Sequence, residues 1–292
     1  MGNLTPQAFS YVAELVRREA AIVLGPGKEY LVEARLTPLA RAAGAADVSA
    51  YVSTLQSPAR AKQRMAVVEA LTTNETSWFR DGEPFEALRT TVVPQLLTQV
   101  PPSRRVNVWS AACSSGQEAY TIAMVMAEHA GGRKVDILAS DLSQEMLDRT
   151  KAGSYSQLEV GRGLPAPMMV KHFRRSGTQW QVSEQLRSMV RTQRINLATP
   201  FPPLPVFDVV FLRNVLIYFD TPTKRAILQR VRQVLSPQGF LFLGGAETTI
   251  GIDDGWDRTT VGRFTLYRPA SAADPTPVPV PSLAWAATAE GR

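Results

Sequence analysis

The sequence has very few of the residues that form disulfide bonds and metal sites. Its 292 residues include one cysteine, Cys113, and two histidines, His129 and His172. A single cysteine cannot form a disulfide within the chain, and no cysteine and histidine residues are spaced as metal ligands. We therefore expect no metal ion, and a reducing, cytoplasmic location.

Long apolar runs are also absent. No stretch of about 18 consecutive apolar residues occurs, and the first residues lack the basic and then apolar pattern of a secretory signal. We therefore expect no insertion into a membrane. Hydrophobic residues make up 45% of the chain, which is enough to bury one large core or two smaller ones.

Acidic residues are scarce in one segment. Between residues 162 and 194 a single acid, Glu184, stands among seven cations, and this segment accounts for the whole net charge of +6. The cations are Arg162, Lys171, Arg174, Arg175, Arg187, Arg191 and Arg194. Such a segment is either a docking surface for an acidic partner or an ordinary solvated face.

A strand, a turn and a helix are predicted between residues 105 and 120. A β-branched apolar run at 106–111 is followed by small residues and Gly116, and then by apolar residues at helical spacing from Tyr120. In a doubly wound fold, such a turn and helix start face a nucleotide-like ligand. Ser114-Ser115-Gly116 is neither a full G-x-G-x-x-G nor a Walker loop, so binding of a nucleoside triphosphate is not expected.

Two acids lie near this turn, and each has two interpretations. Asp141 ends the next predicted strand, where Rossmann-type folds place an acid that binds ribose hydroxyls. Alternatively, Asp141 caps the helix that starts near Gln144. Glu118 either belongs to the site or interacts with the dipole of the helix that it begins.

The remaining pattern divides the chain into segments. Thr5 and Pro6 start the first of four helices predicted at about 6–24, 29–43, 48–55 and 58–71. A polar loop at 71–81 precedes a helix at 83–99, interrupted near Pro94, and the loop is either functional or a capping box with a linker. Short antiparallel strands at 178–182 and 188–194 predict an insertion, after which strands at 207–212, 240–243 and 264–267 and a helix at 223–235 complete an α/β domain. A proline-rich tail at 269–292 is expected to be disordered.

Several segments together resemble the CheR family of S-adenosylmethionine-dependent methyltransferases, which esterify glutamate side chains of bacterial chemoreceptors. The resemblance covers about residues 5–268 in the family's order. The matching segments are Thr73-Asn74-Glu75-Thr76 with Phe79-Arg80, residues 110–120, Ala139-Ser140-Asp141, Asn196-Leu197, residues 213–219 (Arg-Asn-Val-Leu-Ile-Tyr-Phe) and residues 243–247 (Leu-Gly-Gly-Ala-Glu). The sequence departs from the family at Ala112, Ser115 and Gln117, where glycine, threonine and glutamate are usual. Ala112 therefore needs a backbone conformation open to a β-carbon.

The resemblance implies a fold, a cofactor and a site. The fold is α/β, with an all-helical N-terminal domain at 1–72, a Rossmann-type class I methyltransferase domain at 73–268, and a small antiparallel β subdomain inserted at 161–194. The cofactor is S-adenosylmethionine and the product S-adenosylhomocysteine. The residues implied to bind the cofactor are Asn74, Thr76, Arg80, Glu118, Asp141, Asn196, Leu197, Arg213 and Asn214. Arg80 and Tyr218 are implied to face the methyl group as the catalytic pair.

The resemblance also implies the partner, the cytoplasmic domain of a chemoreceptor methylated during sensory adaptation. The basic segment 162–194 is the expected docking surface, and the short stretch from Ser176 to Trp180 predicts binding that does not depend on a receptor C-terminal pentapeptide. One rival is a nucleic-acid methyltransferase, raised by the pI of about 9.7 but opposed by the few aromatic residues among the cations. The other rival is a cofactor-sensing adaptor without catalysis, which the intact Arg80 and Tyr218 disfavour.

Overall fold

The computed structural model describes residues 4–270. Within this range no helix is both long and apolar enough to cross a membrane. The last strand includes Pro269, and the Ala270 N–H donates to the Gly255 carbonyl at 2.9 Å. The first two residues assigned to the proline-rich tail are therefore part of the fold, and residues 271–292 lie outside the described range.

Four helices form the N-terminal module: α1 (Pro6–Ala20), α2 (Glu29–Ala42), α3 (Val48–Thr54) and α4 (Ala61–Leu71). The predicted start of α1 is confirmed, because the Thr5 hydroxyl accepts the Ala8 N–H at 3.2 Å. The helix ends before Gly25, because Ala21 adopts a left-handed conformation with φ of 53°. The buried side chains of this module are continuous with one face of the central sheet, where they share a core with Trp109 and Val210.

A helical segment connects the module to the sheet. It consists of α5 (Glu83–Ala87), a π-helical turn at Leu88–Val92, and α6 (Val93–Gln99). The predicted interruption near Pro94 takes the form of this wider turn rather than a break. Proline has no N–H to continue the i to i−4 ladder, and a π-helical turn just before it accommodates that loss.

Ten strands follow in the described part of the chain, and seven of them form the central sheet. The strands are β1 (Val106–Ala111), β2 (Val135–Asp141), β3 (Ser154–Ser156), β4 (Phe173–Ser176), β5 (Gln179–Val182), β6 (Val190–Arg194), β7 (Phe207–Leu212), β8 (Leu235–Leu243), β9 (Trp256–Val261) and β10 (Phe264–Pro269). The order in the sheet is β6-β2-β1-β7-β8-β10-β9. The first five strands in this order run parallel, and β10 is antiparallel to both of its neighbours. Every residue of β7 is buried, as its largely apolar sequence predicts, and the one charged residue, Asp208, pairs with Arg104.

Helices cover both faces of this sheet. The remaining helices are α7 (Gln117–His129), α8 (Gln144–Ala152), α9 (Gln157–Val160), α10 (Ala166–His172), α11 (Glu184–Arg187) and α12 (Thr221–Val234). The N-terminal module and α12 pack on one face, while α5, α6 and α7 pack on the other. The carboxyl ends of the parallel strands thus meet at one edge, between the N-terminal module and the loops of the α/β domain.

The small antiparallel sheet differs from its prediction. Its order is β3-β5-β4, so its third strand comes from residues 154–156, before the predicted boundary at 161. The prediction that 188–194 is an antiparallel strand of the insertion is wrong, because β6 pairs in parallel with β2. Among the strands of residues 4–270, β6 pairs only with β2, and its mostly polar sequence is that of an exposed edge strand.

Candidate active site

A cleft lies at the carboxyl ends of β1, β2, β6 and β7. All ten residues proposed from the sequence line this cleft: Asn74, Thr76, Arg80, Glu118, Asp141, Asn196, Leu197, Arg213, Asn214 and Tyr218. Ala20 and Ile22 also line it, so the C-terminal end of α1 forms part of the wall. Sequence reasoning missed this wall, because the contact exists only once the module has packed on the sheet.

The turn after β1 alternates left-handed residues. Ala112, Ser114 and Gly116 have φ values of 62°, 50° and 95°. Position 116 accepts only glycine, since a Cβ there would lie 2.8 Å from both Cγ2 and Oγ1 of Thr150. The turn thus forms with Ala112 in a conformation that an L-residue adopts at a cost of about 1–2 kcal/mol.

Asp141 joins the two loops that follow β1 and β2. Its Oδ2 accepts the Ser114 N–H at 2.8 Å and its Oδ1 accepts the Ser143 N–H at 3.0 Å. The capping interpretation is wrong, because the N-cap of α8 is Ser143, whose hydroxyl accepts the Met146 N–H. Burial raises the pKa of Asp141, and the backbone N–H donors oppose that rise. The carboxylate has capacity for further donors on the cleft side.

Glu118 and Arg213 form an ion pair in the wall of the cleft, in which Arg213 is buried and Glu118 is largely buried. Arg213 Nη1 donates to Glu118 Oε2 at 3.0 Å, and the exposed fractions of the two side chains are 1% and 13%. The Ser110 hydroxyl donates to the other oxygen of Glu118 at 2.8 Å. Burial raises the pKa of Glu118, while Arg213 lowers it. The hydrogen bonds show that Glu118 is held by side chains and is not merely a first-turn acid.

Arg213 also holds the loop that carries Arg80. Its Nη2 donates to the Arg80 carbonyl at 3.0 Å and to Asp81 Oδ2 at 2.7 Å. Both terminal nitrogens are therefore occupied by protein groups, although the residue lines the cleft. Arg80 lies between two left-handed residues, Phe79 at φ 47° and Asp81 at φ 68°. The Arg80 side chain donates to the Glu75 carbonyl at 3.0 Å.

The rest of this loop is anchored at both ends. Arg35 donates to the Thr72 carbonyl at 2.6 Å, and the Ser114 hydroxyl donates to the Asn74 carbonyl at 2.7 Å. These contacts hold the polar loop over the turn after β1. The functional interpretation of the loop is consistent with this position, since its residues Asn74 to Thr76 line the cleft.

Trp78 anchors the loop to the small sheet. Its side chain is 1% exposed and packs edge to face on Tyr155 of β3, with ring centroids 4.9 Å apart, and on Phe173 of β4, at 5.3 Å. The indole N–H donates to the Glu159 carbonyl at 3.1 Å, and the Trp78 backbone N–H donates to the Arg162 carbonyl at 3.1 Å. Trp78 is thus a core residue, and it packs against the inserted sheet.

The opposite wall contains Tyr218 and Asn196. Tyr218 is half-buried in a 3-10 turn at Leu216–Tyr218, and its carbonyl accepts the Val23 N–H at 3.1 Å. The Asn196 side chain donates to the Glu19 carbonyl at 2.7 Å and accepts the Ala198 N–H at 2.9 Å. Tyr218 therefore lies at the cleft rather than in the core, and both residues also join the α/β domain to the N-terminal module.

Neither histidine lies at the cleft. His172 is buried beside Glu128, with Nε2 and Oε1 3.0 Å apart, and His129 ends α7. Among the residues that line the cleft, the titratable side chains are those of Glu75, Arg80, Cys113, Glu118, Asp141, Arg213 and Tyr218. Burial raises the pKa of Cys113 well above its ordinary value, so its thiol is protonated at neutral pH.

The donor set of the cleft suits S-adenosylmethionine. The carboxylates of Asp141 and Glu118 can accept hydroxyl and ammonium hydrogens, and Ile22, Leu142 and Leu197 supply an apolar wall for a base. The sheet order with the single reversed strand β10, the turn after β1 and the acid at the end of β2 define a Rossmann-type class I methyltransferase.

Comparison with known proteins identifies the family. The model of the CheR methyltransferase SAM-binding domain matches residues 74–261, and that of the CheR all-alpha domain matches residues 7–72. The chain is 39% identical over 274 residues to chemotaxis protein methyltransferase Cher2 of Pseudomonas putida, covering 91% of this chain and 98% of that one. It is 40% identical over 267 residues to chemotaxis protein methyltransferase 1 of Pseudomonas aeruginosa, covering 89% and 97%. The chain belongs to the CheR family of methyltransferases, which confirms the resemblance, and its cofactor is S-adenosylmethionine.

Proposed function

We propose that this protein transfers the methyl group of S-adenosylmethionine to glutamate carboxylates in the cytoplasmic domains of chemoreceptors. The product is a glutamyl methyl ester that takes part in sensory adaptation, and the site of action is the cytoplasm. The observation that supports this most directly is that Arg80 and Tyr218 line the same cleft as the acids Asp141 and Glu118. A guanidinium and a phenol are hydrogen-bond donors that suit a carboxylate substrate. Neither group is a strong base, so the pair suits a substrate that is already ionised.

The reaction requires little from the protein beyond placement. When bound, S-adenosylmethionine supplies a methyl group already attached to a good leaving group. A glutamate carboxylate has a reference pKa of about 4.3 and is ionised at neutral pH, so no general base is needed. Arg80 would hold one face of the carboxylate with its fork of donors, and Tyr218 would donate one further hydrogen bond. The walls of the cleft would exclude water from the carboxylate, which is catalysis by orientation and desolvation.

The residues that would hold the cofactor act in two ways. Direct contacts are assigned to the residues whose polar atoms have remaining capacity at the cleft, namely Asn74, Thr76, Glu118, Asp141, Asn196 and Asn214, together with the apolar side of Leu197. Arg213 acts indirectly, because its terminal nitrogens bind Glu118, Asp81 and the Arg80 carbonyl. Its contribution is to keep Glu118 ionised and Arg80 in place.

The basic segment 162–194 remains the proposed docking surface for the receptor, with a smaller set of available cations. Four of its seven cations pair with acids: Arg162 with Glu75, Lys171 with Glu128, Arg187 with Glu184 and Arg194 with Glu69. Arg174 and Arg175 on β4 are exposed and donate only to backbone carbonyls. Val170, 72% exposed, lies beside them. This combination suits an acidic, amphipathic helix.

We further propose that docking does not depend on a receptor C-terminal pentapeptide. The hairpin between β4 and β5 has only Gly177 and Thr178 in its loop, and Gly177 has φ of 60°. Such a tight turn offers no extended loop that could wrap a peptide. Titration of a receptor C-terminal pentapeptide against this protein should give no binding at micromolar concentration, and saturable micromolar binding would contradict the proposal.

The test of the function is methyl transfer to receptor fragments. Purified protein, labelled S-adenosylmethionine and membranes or receptor cytoplasmic fragments from the same source should give methyl esters on glutamate, mapped by mass spectrometry. Parallel reactions with RNA and DNA should incorporate no label. Incorporation into nucleic acid would favour that rival, and cofactor binding without incorporation into any substrate would favour the adaptor.

The docking surface has a test of its own. Affinity for a receptor fragment should fall with added salt, and Arg174→Glu with Arg175→Glu should weaken it more than Arg187→Glu with Arg191→Glu. Arg258→Glu with Arg263→Glu, on the exposed hairpin at the other end of the sheet, makes the same change in net charge as a control. Equal losses from the control pair and from the β4 pair would show that only net charge matters.

A further inference from the structure

The carboxylate of Glu247 has its full complement of hydrogen bonds, all from backbone N–H groups. Its Oε2 accepts the N–H of Gly244 at 2.7 Å and of Asn214 at 2.8 Å. Its Oε1 accepts the N–H of Val215 at 2.8 Å and of Leu216 at 2.7 Å. The residue is 9% exposed. A carboxylate accepts about four hydrogen bonds, so this group is saturated by two loops that follow neighbouring strands, β7 and β8.

The backbone around Glu247 is closely packed and leaves little room for a different side chain. Asn214 has a left-handed φ of 57°. A Cβ on Gly244 would lie 2.7 Å from Glu247 Oε2 and 2.9 Å from the Asn214 nitrogen. The two loops therefore approach so closely that one must lack a side chain, and three consecutive N–H groups of the other converge on one carboxylate. Charge-assisted hydrogen bonds of this kind are stronger than those between neutral groups.

This carboxylate lies one turn away from Tyr218. The N–H groups of Val215 and Leu216 that it binds begin the 3-10 turn that ends at Tyr218, whose own N–H donates to the Val215 carbonyl at 3.2 Å. The direction of that turn sets where the Tyr218 ring enters the cleft. We propose that Glu247 is a positioning residue for methyl transfer, which aligns the Asn214–Tyr218 turn so that the tyrosine hydroxyl meets the substrate carboxylate. The reaction in this proposal is the one given under the proposed function.

The first test measures the turn itself and needs no substrate. Glu247→Gln has the same shape, but its amide NH2 group faces two of the four backbone N–H groups in either orientation. Hydrogen exchange of the peptide spanning 214–218 should become at least about 10-fold faster in this variant. Asp253→Asn is the control, because the Asp253 side chain is 7% exposed and lies away from the cleft, where it accepts the Gly255 N–H and the Trp256 indole N–H and pairs with Arg232. It should leave the exchange of 214–218 unchanged.

The second test separates positioning from general stability. Glu247→Gln should lower the single-turnover rate about 30-fold while raising the Kd of S-adenosylhomocysteine less than about 5-fold. In a Tyr218→Phe background the same substitution should cost less than about 3-fold, since the hydroxyl to be aligned is already gone. Glu247→Asp keeps the charge on a shorter side chain, so its single-turnover rate should lie between those of wild type and Glu247→Gln. It replaces Glu247→Gln in this test if the glutamine variant folds poorly.

Three results would overturn the proposal. These are unchanged exchange at 214–218 in a folded Glu247→Gln variant, an equal rate loss with and without the Tyr218 hydroxyl, or a similar rate loss in Asp253→Asn. If no receptor glutamate is methylated even by the wild-type protein, the proposed function fails. The exchange and Kd measurements would still report on Glu247, so the two failures are distinguishable.

Discussion

Replacing Arg213 by methionine should leave Glu118 as a buried charge without its counterion. Methionine has a similar length and preserves the contact with Phe85, over whose ring the guanidinium lies at 5.4 Å. The Ser110 hydroxyl would then be the one remaining side-chain hydrogen-bond donor to the Glu118 carboxylate. Removing one partner of a buried pair costs about 3–5 kcal/mol. The lost contact with Asp81 adds little, because the Asp81 side chain is 49% exposed.

A double-mutant cycle measures this effect. Urea unfolding followed by circular dichroism should show that Arg213→Met lowers the free energy of unfolding by about 3–5 kcal/mol. Adding Glu118→Gln in that background should recover about 2–3 kcal/mol, because it removes the charge that was left unpaired. Arg105→Met is the control, since its pair with Asp136 is exposed on both sides and should contribute less than about 1 kcal/mol.

The cost should also depend on pH. Burial raises the pKa of Glu118 in the folded protein, and losing Arg213 raises it further. A carboxyl whose folded pKa exceeds its unfolded pKa stabilises the fold at low pH, and that contribution is lost as pH rises through the folded value. Arg213→Met should therefore be most damaging near pH 8 and less so near pH 5. Equal losses at both pH values, or a further loss on adding Glu118→Gln, would refute a buried, unpaired charge as the cause.

Three other measurements test the site and its supports. If Tyr218 and Arg80 only orient an ionised carboxylate, the single-turnover rate should be nearly constant between about pH 6 and 9. Tyr218→Phe should then lower that rate about 5- to 30-fold. A bell-shaped pH profile that disappears when a histidine is substituted would show that a general base is required. Burial raises the pKa of Glu159, but hydrogen bonds from Ser156 and the pair with Arg149 lower it below its ordinary 4.5. The Tm difference between wild type and Glu159→Gln should therefore be full at pH 7 and shrink as pH falls below 4.5, and a constant difference would argue against the ionised pair. Gly163→Ala should lower the free energy of unfolding by about 1–3 kcal/mol more than Gly177→Ala does. Both glycines have positive φ, but only at Gly163 would a Cβ meet the backbone, 2.3 Å from the Trp78 carbonyl oxygen. Equal urea midpoints of the two variants would show that this contact relaxes freely.

The parts of the fold that sequence patterns predict best are the buried ones. β7 was predicted because each of its residues is buried, so all of them except Asp208 are apolar. The edge strands β6 and β9 were assigned wrongly or missed, because exposed edges carry polar residues and their pairing depends on a distant strand. A pattern within one segment contains no information about which neighbour it will join.

The candidate site shows the same division. Asp141 and Asn214 follow predicted strands, so sheet topology alone places them at one edge. The prediction for Arg80 came from family resemblance, since nothing in a polar loop indicates where it folds. That Arg213 uses both terminal nitrogens within the protein, and that Glu247 receives N–H groups from a loop about 30 residues away, depends on side-chain geometry that no spacing encodes.

The burial of Trp78 between β3 and β4 limits how this protein can be rebuilt. The inserted sheet is compact and contiguous in sequence, and if it is the docking surface proposed above, exchanging it between relatives would change which receptor they recognise. A chimaera with a different inserted sheet that lacked equivalents of Tyr155 and Phe173 would remove the aromatic contacts of the Trp78 indole. Because Arg80 is two residues from that indole, such a chimaera would lose methyl transfer while its new docking surface was intact. A successful exchange must therefore include the loop 72–80 or keep its aromatic partners unchanged.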